Sequence, residues 1–258
     1  MDIAAFEVFG DGNGHCGAPP PGSGPENGDR FGSLRRVAQA DNIVKLSPDL
    51  LLQAYRLGYF PMGEARDSDA LMWVKPKERG VFPLDAFHMP RSLKKVVKQD
   101  VFDVRVNQAF GKVMMLCASP EAGRDDTWIN DEIVEAYTAL HQRGHAHSVE
   151  CYLEGELAGG LYGVSIAGAF FGESMFSLVT DASKVALCHL VGRLKIGGYH
   201  LLDTQFLTPH LARFGAVELP EDIYDDRLAE ALAISGDFLA AGDQTSGSII
   251  VQSITQTS

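Results

Sequence analysis

The stretch HSVECYLEGELAGGLYGVSIAGAFFGE, residues 147–173, decides the fold. Its three apolar runs are separated by a turn at Glu154–Gly155 and by a second turn near Gly168. Turns this short join strands that lie side by side. The pattern therefore predicts an antiparallel meander.

Helices and one more strand are predicted around this meander. Residues 130–144 begin at the cap Asn130 and predict a helix, as do residues 181–198, which begin at Asp181. The run YHLLDTQFL, at 199–207, predicts a further strand. The sequence therefore predicts an α+β fold, in which helices flank a mostly antiparallel sheet.

Composition divides the chain into four segments. The first is rich in Gly and Pro and cannot bury enough apolar surface to offset its ordering entropy. The last is uncharged after Asp243, although its SIIV run could pair as a short strand. The predicted segments are a disordered extension (1–41), a small N-terminal domain (42–84), a larger α+β domain (85–232) and a C-terminal tail (233–258).

Chain length, net charge and cysteine content exclude several classes of protein. The chain has 258 residues, and no apolar run approaches the roughly 20 residues that span a bilayer. The N-terminus lacks the pattern of a signal peptide, so a cytoplasmic protein without a membrane partner is expected. The net charge of −12, taken alone, argues against a nucleic-acid partner. Four dispersed cysteines without a CxxC pair indicate neither a disulfide framework nor a zinc site, and no metal or cofactor is expected.

Three polar residues stand out in apolar strands. Asp203 and Gln205 are two positions apart, so their side chains leave the same face of the predicted strand. Glu173 is expected at the end of the last predicted strand of the meander. If one sheet holds both strands, the three side chains line one cleft, and carboxylates in an apolar cleft favour a cationic substrate group. The alternatives are a solvent-exposed strand end for Asp203 and Gln205, and a turn-capping role for Glu173.

The segment RSLKKVVK, at 91–98, is basic and contains no acid. Helical spacing places its charges in one stripe, which consists of Arg91, Lys94, Lys95 and Lys98. Nearby positive charge comes from Lys75, Lys77 and Arg79. The stripe is either a solvated helix face or a patch that binds a short nucleic-acid backbone. Trp128, similarly, either stacks on a base or packs in a core.

Together these pieces resemble the bacterial leucyl/phenylalanyl-tRNA–protein transferase family. The resemblance runs in order over roughly residues 42–232 and leaves the Gly/Pro-rich head unmatched. The matching stretches are AYRLGYFPM (54–62), FHMPRSLKK (87–95), NQAFGKVMMLCA (107–118), TWINDEIVEAY (127–137), GHAHSVE (144–150), GGLYGV (159–164), FFGESMFS (170–177), DASKVAL (181–187) and LLDTQFLTPHLARFGA (201–216).

The resemblance implies an activity. The family moves Leu, Phe or Met from aminoacyl-tRNA to the N-terminal Arg or Lys of a protein, which is then degraded through the Clp machinery as an N-degron substrate. It also implies a GNAT-like catalytic domain behind a small N-terminal domain, and we expect a monomer without a cofactor. The chemistry is aminolysis of an ester. Because an α-amine has a pKa of roughly 7.7–8.0, positioning and modest proton removal are enough.

Site residues follow from the same resemblance. Asp203 and Gln205 match the family's catalytic pair, in which Asp203 polarises Gln205 and helps to draw the proton from the attacking amine. Glu173 is then expected to face the positive N-terminal residue of the acceptor, and the basic stripe to meet the tRNA acceptor stem. The residues implied in substrate binding are Trp128 near the terminal adenosine, four residues at the pocket for the Leu or Phe side chain (Leu161, Phe170, Leu190 and Leu194), and also Ser174, Met175 and Phe176.

Other interpretations remain open at this point. The family often has Trp where this chain has Met62, so the preferred aminoacyl donor is not fixed. An acetyl-CoA-dependent acyltransferase of the same fold would need a pyrophosphate-binding loop, roughly [QR]-x-x-G-x-[GA], which the sequence lacks. A non-catalytic binder of basic N-termini would keep the acidic cleft without transfer. Transfer to other N-termini is a third alternative, and the carboxylates disfavour acidic ones.

Overall fold

The computed structural model describes residues 46–63, 71–119 and 129–256, together with the backbone of a short strand at 35–36. The described strands are β1 (Arg35–Arg36), β2 (Phe60–Gly63), β3 (Leu71–Val74), β4 (Glu78–Phe82), β5 (Asp103–Val106), β6 (Ala146–Leu153), β7 (Glu156–Ile166), β8 (Ala169–Ser177), β9 (Leu201–Gln205) and β10 (Val217–Pro220). The described helices are α1 (Pro48–Arg56), α2 (Arg91–Lys98), α3 (Phe110–Cys117), α4 (Asp131–Gln142), α5 (Ala182–Ile196), α6 (Pro209–Ala212), α7 (Glu221–Leu232) and α8 (Gly247–Thr255).

The larger sheet is mixed and has the strand order β10-β4-β9-β8-β7-β6-β5. Its neighbouring strands are antiparallel, except that β8 and β9 run parallel and are connected through α5. A separate three-stranded sheet has the order β1-β3-β2. The predicted α+β class is confirmed.

The meander consists of β6, β7 and β8, as the sequence predicts. Glu154 (φ 53°) and Gly155 (φ 86°) both have left-handed backbones in the turn between β6 and β7. Two successive residues of this kind form a type I′ turn, whose twist matches that of the strands it joins. The turn sets the register, and the register determines which strand residues share a face.

The two faces of the sheet carry separate apolar cores. One core lies beneath α2, α5 and α8, and the other lies beneath α1, α3, α4 and α7. Because α8 lies on the outer side of α5, every residue of α5 from Ala182 to Leu194 is buried except Lys184. α5 is therefore an interior helix.

One of the two predicted helix caps is confirmed. The Asn130 side chain accepts a hydrogen bond from the backbone N–H of Ile133 at 3.0 Å. The cap predicted at Asp181 is wrong, because Asp181 has a left-handed backbone (φ 69°) and makes no capping hydrogen bond. Its carboxylate pairs with Lys184 at 3.0 Å instead.

The predicted C-terminal tail, residues 233–258, is wrong at residues 247–255. Gly247–Thr255 is the helix α8 rather than a tail or a short strand. Ile250, Val251 and Ile254 recur at helical spacing and are buried against α5 and α2. The many Ser, Thr and Gln residues of this segment obscure that apolar face in the sequence.

The remaining domain predictions have mixed outcomes. The predicted disordered extension, residues 1–41, lies outside the described residues, apart from the strand β1, which pairs with β3. The predicted boundary after residue 84 does not follow the sheet, since β4 lies between β10 and β9. In the part of the chain that the structure describes, no helix is long and apolar enough to cross a membrane.

Candidate active site

Glu173 lies at a β-bulge in β8. Tyr162 and Gly163 are adjacent in β7, yet they pair with Ser174 and Gly172 of β8. Glu173 is the extra residue between these two pairs. A bulge of this kind interrupts the strict alternation of a strand and redirects a side chain. It places Glu173 on the face of the sheet that α1 and α4 cover.

The Glu173 carboxylate is fully buried and accepts three hydrogen bonds. The donors are Tyr55 Oη at 2.6 Å, Tyr137 Oη at 3.3 Å and Gln205 Nε2 at 3.0 Å. The two tyrosine hydroxyls also contact each other. Burial raises the pKa of Glu173 to about 7, although the hydrogen bonds from Tyr55 and Gln205 oppose the rise. A carboxyl with this pKa can accept and release a proton at neutral pH.

Gln205 connects Glu173 to Asp203. Its backbone is left-handed (φ 65°), which costs a residue other than glycine roughly 1–2 kcal/mol. The Gln205 N–H donates to Asp203 Oδ1 at 2.6 Å and so stabilises this conformation. The hydrogen bond between the two residues thus involves the Gln205 backbone, whereas its side-chain amide donates to Glu173.

The Asp203 carboxylate forms a buried ion pair with Arg79. Arg79 Nε lies 3.0 Å from both carboxylate oxygens, Arg79 Nη2 lies 2.7 Å from Oδ2, and the Tyr224 hydroxyl donates to Oδ2 as well. Phe60 and Tyr224 cover the two sides of the guanidinium at 4.7 and 4.8 Å, and Nη1 donates to Gly58 O. Burial opposes the charge of Arg79, but the Asp203 carboxylate outweighs it and holds the pKa above its usual value. Both carboxylate oxygens of Asp203 therefore already accept hydrogen bonds within the protein.

The structure brings Glu173, Asp203 and Gln205 together, but it buries all three side chains instead of lining an open cleft with them. The residues predicted for substrate binding lie on both faces of the sheet. Ser174 pairs with Tyr162 and shares the face of Glu173, and Phe176 belongs to the same core as Tyr162. The others that the structure describes belong to the opposite core, against α5: Leu161, Phe170, Met175, Leu190 and Leu194. A pocket that uses both groups needs an opening through the sheet.

Among the described residues, the interruption of the sheet nearest to Glu173 lies where β8 and β9 stop pairing. The parallel ladder ends at the pair of Phe171 and Asp203, although β8 continues to Ser177 and β9 to Gln205. The Gln205 amide bridges the gap to Glu173. Crevices at the carboxyl ends of parallel strands are a common place for ligands to bind. Glu173 and Gln205 lie at this interruption, and both are buried.

The predicted basic stripe lies on α2. Leu93 and Val97 point into the core, and the stripe is on the outer side of the helix. Its members are Arg91, Lys95 and Lys98, which are exposed, and Lys94, which is half-buried. Two of the nearby cations are neutralised, since Lys75 pairs with Asp225 at 2.8 Å and Arg79 is buried against Asp203.

Several contributors to the site are not recognisable in the sequence. Tyr137 fits the apolar face of its helix, and Arg79 resembles ordinary surface charge. Tyr55 lies 118 positions from Glu173, and Arg79 lies 124 positions from Asp203, so no local spacing connects them. Trp128 lies outside the described residues. Within the described ranges, no group of His, Cys, Asp and Glu side chains is arranged to hold a metal ion.

Comparison with known proteins identifies the family. The leucyl/phenylalanyl-tRNA protein transferase model matches residues 81–229, and the model of the N-terminal domain of these transferases matches residues 45–77. A leucyl/phenylalanyl-tRNA–protein transferase from Maricaulis maris is 55% identical over 208 residues, which are 81% of this chain and 96% of the relative. Another, from Rhodospirillum rubrum, is 51% identical over 212 residues, which are 80% and 100% of the two chains.

Among solved structures, L-PGS from Bacillus licheniformis is 16% identical and covers 64% of this chain and 55% of its own, with a TM-score of 0.34. A likeness this low carries no argument about the fold. The sequence matches show the family of this chain, since they extend over both family models and nearly the whole of each relative. This chain belongs to the leucyl/phenylalanyl-tRNA protein transferase family.

Proposed function

We propose that this chain is an aminoacyltransferase that moves Leu or Phe from aminoacyl-tRNA to the N-terminal Arg or Lys of acceptor proteins. The modified proteins then enter N-degron proteolysis. Family membership supports the reaction and both substrate classes. The structural observation that carries the proposal is the buried carboxyl of Glu173, which the Gln205 amide contacts where β8 and β9 stop pairing.

The reaction needs positioning and one proton acceptor. The neutral α-amine of the acceptor attacks the ester carbonyl carbon, so that a C–N bond forms and the C–O bond to the terminal ribose breaks. The amine gives one proton to Glu173, and the departing ribose oxygen takes one proton up. Because the α-ammonium of the acceptor has a pKa of roughly 7.7–8.0, part of it is already the neutral amine at neutral pH, and a carboxylate with a pKa of about 7 can take the proton that the attacking nitrogen then releases.

Gln205 and Asp203 serve Glu173 in this mechanism. The Gln205 amide orients the carboxylate of Glu173 through its hydrogen bond at 3.0 Å. Asp203 is a positioning residue, because its oxygens are occupied by Arg79, by Tyr224 and by the Gln205 N–H. This assignment replaces the role of proton acceptor that the family resemblance implies for Asp203.

The preference for Arg or Lys at the acceptor N-terminus is assigned to the same carboxylates. Arg79 cancels the charge of Asp203, which leaves Glu173 as the negative group nearest to the attacking amine. An ionised Glu173 attracts a cationic first residue and repels an acidic one. The acceptor therefore approaches from the face on which Glu173 lies.

The aminoacyl-tRNA is assigned to the opposite face. We place the Leu or Phe side chain between β8 and α5, against Leu161, Met175, Leu190 and Leu194. An apolar pocket discriminates by roughly 1–3 kcal/mol per methylene. α2, with its basic stripe, belongs to the same core as α5, which suits contact with the acceptor stem on that side. Donor and acceptor then meet at the gap between β8 and β9.

The proposal also covers the organisation of the chain. The larger domain is GNAT-like in our interpretation, and its single parallel crossover, β8-α5-β9, supports this. The small N-terminal domain ends between residues 77 and 81, where one family match gives way to the other. We expect a cytoplasmic monomer that needs no cofactor.

The test is transfer of labelled leucine from leucyl-tRNA to four peptides that begin with Arg, Lys, Glu or Ala and are otherwise identical. We expect label on the Arg and Lys peptides only. Label on none of the four, from a folded protein and with either leucyl- or phenylalanyl-tRNA, would contradict the proposal. Label on all four would contradict the role of the carboxylates in acceptor choice.

A further inference from the structure

The C-terminal segment 235–256, here called the clasp, lies beyond the residues that the family models match. It ends in α8, which packs on the outer side of α5 close to Gly192. A Cβ atom on Gly192 would lie 2.9 Å from Cγ2 of Ile250, so a larger residue at this position would force the Ile250 side chain of α8 to shift. Ser253 Oγ also donates to Gly192 O at 3.3 Å.

Arg193 connects α5 to the clasp electrostatically. Its side chain is buried, and its guanidinium donates to Gly242 O, to Asp243 O at 3.3 Å and to Thr245 Oγ1 at 3.3 Å. Its Nε has no hydrogen-bond partner among the described residues. Burial lowers the pKa of Arg193 to about 10, although the charge of Asp243 opposes the fall. A buried guanidinium is costly without acceptors, so α5 depends on residues 242–245.

The clasp contacts β8 as well. Phe238 stacks on Phe170 with ring centroids 5.5 Å apart and planes at 16°, and on His147 with centroids 4.2 Å apart and planes at 11°. Phe170 belongs to the core between β8 and α5. The clasp therefore contacts both α5 and β8, the two elements between which the proposed function places the Leu or Phe side chain.

We propose that the clasp is a specificity-determining element, which fixes the spacing between α5 and β8 and thereby the size of aminoacyl side chain that is transferred. This inference rests on the proposed function. Protein interiors are close-packed, so a wall that is held from outside cannot yield to a larger side chain. Without that support α5 moves outward and the pocket accepts side chains that it otherwise rejects.

Two variants of the full chain test the proposal. Arg193→Met removes the charge and its three hydrogen bonds, and Thr245→Val removes one acceptor with little change of shape. The matched control is Arg227→Met, which makes the same substitution at an exposed residue of α7. For each protein, kcat/KM is measured with leucyl-, phenylalanyl- and tryptophanyl-tRNA, and hydrogen exchange is followed in α5 and in β7.

We expect transfer of Trp relative to Leu to rise about 5- to 10-fold in Arg193→Met, a modest part of the discrimination that such pockets achieve. Exchange should become faster in α5 and stay unchanged in β7. Thr245→Val should show the same changes on a smaller scale, and it keeps the test valid if Arg193→Met does not fold. The control should match the wild type.

An equal loss with all three donors, or an unchanged ratio, would overturn the proposal and leave the clasp as general support for the fold. A wild-type protein that transfers from none of the tRNAs would refute the proposed function instead, and the inference about side-chain size with it. In that case the exchange data still decide whether the clasp holds α5.

Discussion

The side-chain nitrogen of Gln205 lies 3.0 Å from Oε2 of Glu173, across the point where β8 and β9 stop pairing. Each partner is unfavourable by itself, since Glu173 is a buried acid and Gln205 has a left-handed backbone. Such features persist only where their surroundings hold them, and they are typical of functional sites. Here Tyr55 and Tyr137 donate hydrogen bonds to Glu173, and Asp203 accepts one from the Gln205 backbone.

Glu173→Gln should lower kcat for transfer by about 10²–10⁴, the usual contribution of a general base. The amide has nearly the shape of the carboxyl but cannot take the proton of the amine. Single-turnover transfer of leucine to an Arg-peptide measures the effect. Glu173→Lys is less informative, because an unpaired cation in this buried position would destabilise the fold.

Glu150→Gln is the control for this substitution. Glu150 is equally buried, but its carboxylate accepts the backbone N–H groups of Gln108 and Ala109 at the start of α3. We expect lower stability and a transfer rate within about twofold of the wild type, since the group makes no contact with Glu173. Equal losses of rate in both variants would show that removing any buried carboxylate suffices, and the role of Glu173 would be refuted.

Glu173 should also make stability depend on pH. Its pKa is about 7 in the folded protein and 4.5 ordinarily, so the folded state binds this proton more tightly. Between pH 4.5 and 7 the unfolded state carries fewer protons, and stability falls as pH rises. The contribution of about 3 kcal/mol is fully present below pH 4.5 and lost above pH 7.

Denaturant unfolding at pH 5, 6, 7 and 8 measures this contribution as the difference between wild type and Glu173→Gln. The free energy of unfolding of the wild type should fall more steeply with pH than that of the variant. Parallel curves for the two proteins would mean that the pKa of Glu173 is not raised.

Parts of this structure could be predicted from the sequence because their causes are local. The turn at Glu154–Gly155 is set by two adjacent residues, and the common face of Asp203 and Gln205 follows from the two-residue period of a strand. The bulge at Glu173 could not be predicted, because it breaks that period. The ion pair of Arg79 and Asp203 joins residues 124 positions apart, and no local pattern encodes such a contact.

Arg79→Met should destabilise the protein by about 3–5 kcal/mol, because it leaves the Asp203 carboxylate buried without its counter-charge. Urea unfolding measures the loss. Arg105→Met is the control, since Arg105 pairs with Asp103 at the surface and should cost less than about 1 kcal/mol. Adding Asp203→Asn to Arg79→Met should recover part of the stability, and a purely additive loss would argue against the pair.

Gln205→Gly should separate stability from activity. Glycine adopts a left-handed backbone without the cost that Gln205 bears, which offsets part of the stability lost with the buried side chain and its hydrogen bond to Glu173. Transfer should nevertheless fall, because the amide that orients Glu173 is gone. Ala167→Gly is the control, as Ala167 has a similar backbone (φ 54°) in the turn before β8 and no contact with the site. A Gln205→Gly enzyme with normal turnover would show that the amide is dispensable.

Lys95→Ala and Lys98→Ala, alone and together, should weaken the binding of aminoacyl-tRNA while leaving the chemistry intact. Each lysine is exposed on α2, and each phosphate contact that is lost should make the slope of log K against log salt shallower by about 0.7–0.9. KM for leucyl-tRNA should rise and kcat should stay near the wild-type value. Lys112→Ala is the control, because Lys112 is exposed on α3, beyond the opposite face of the sheet. If all three lysines affected the salt dependence equally, the tRNA would be attracted by overall charge rather than bound along the basic stripe.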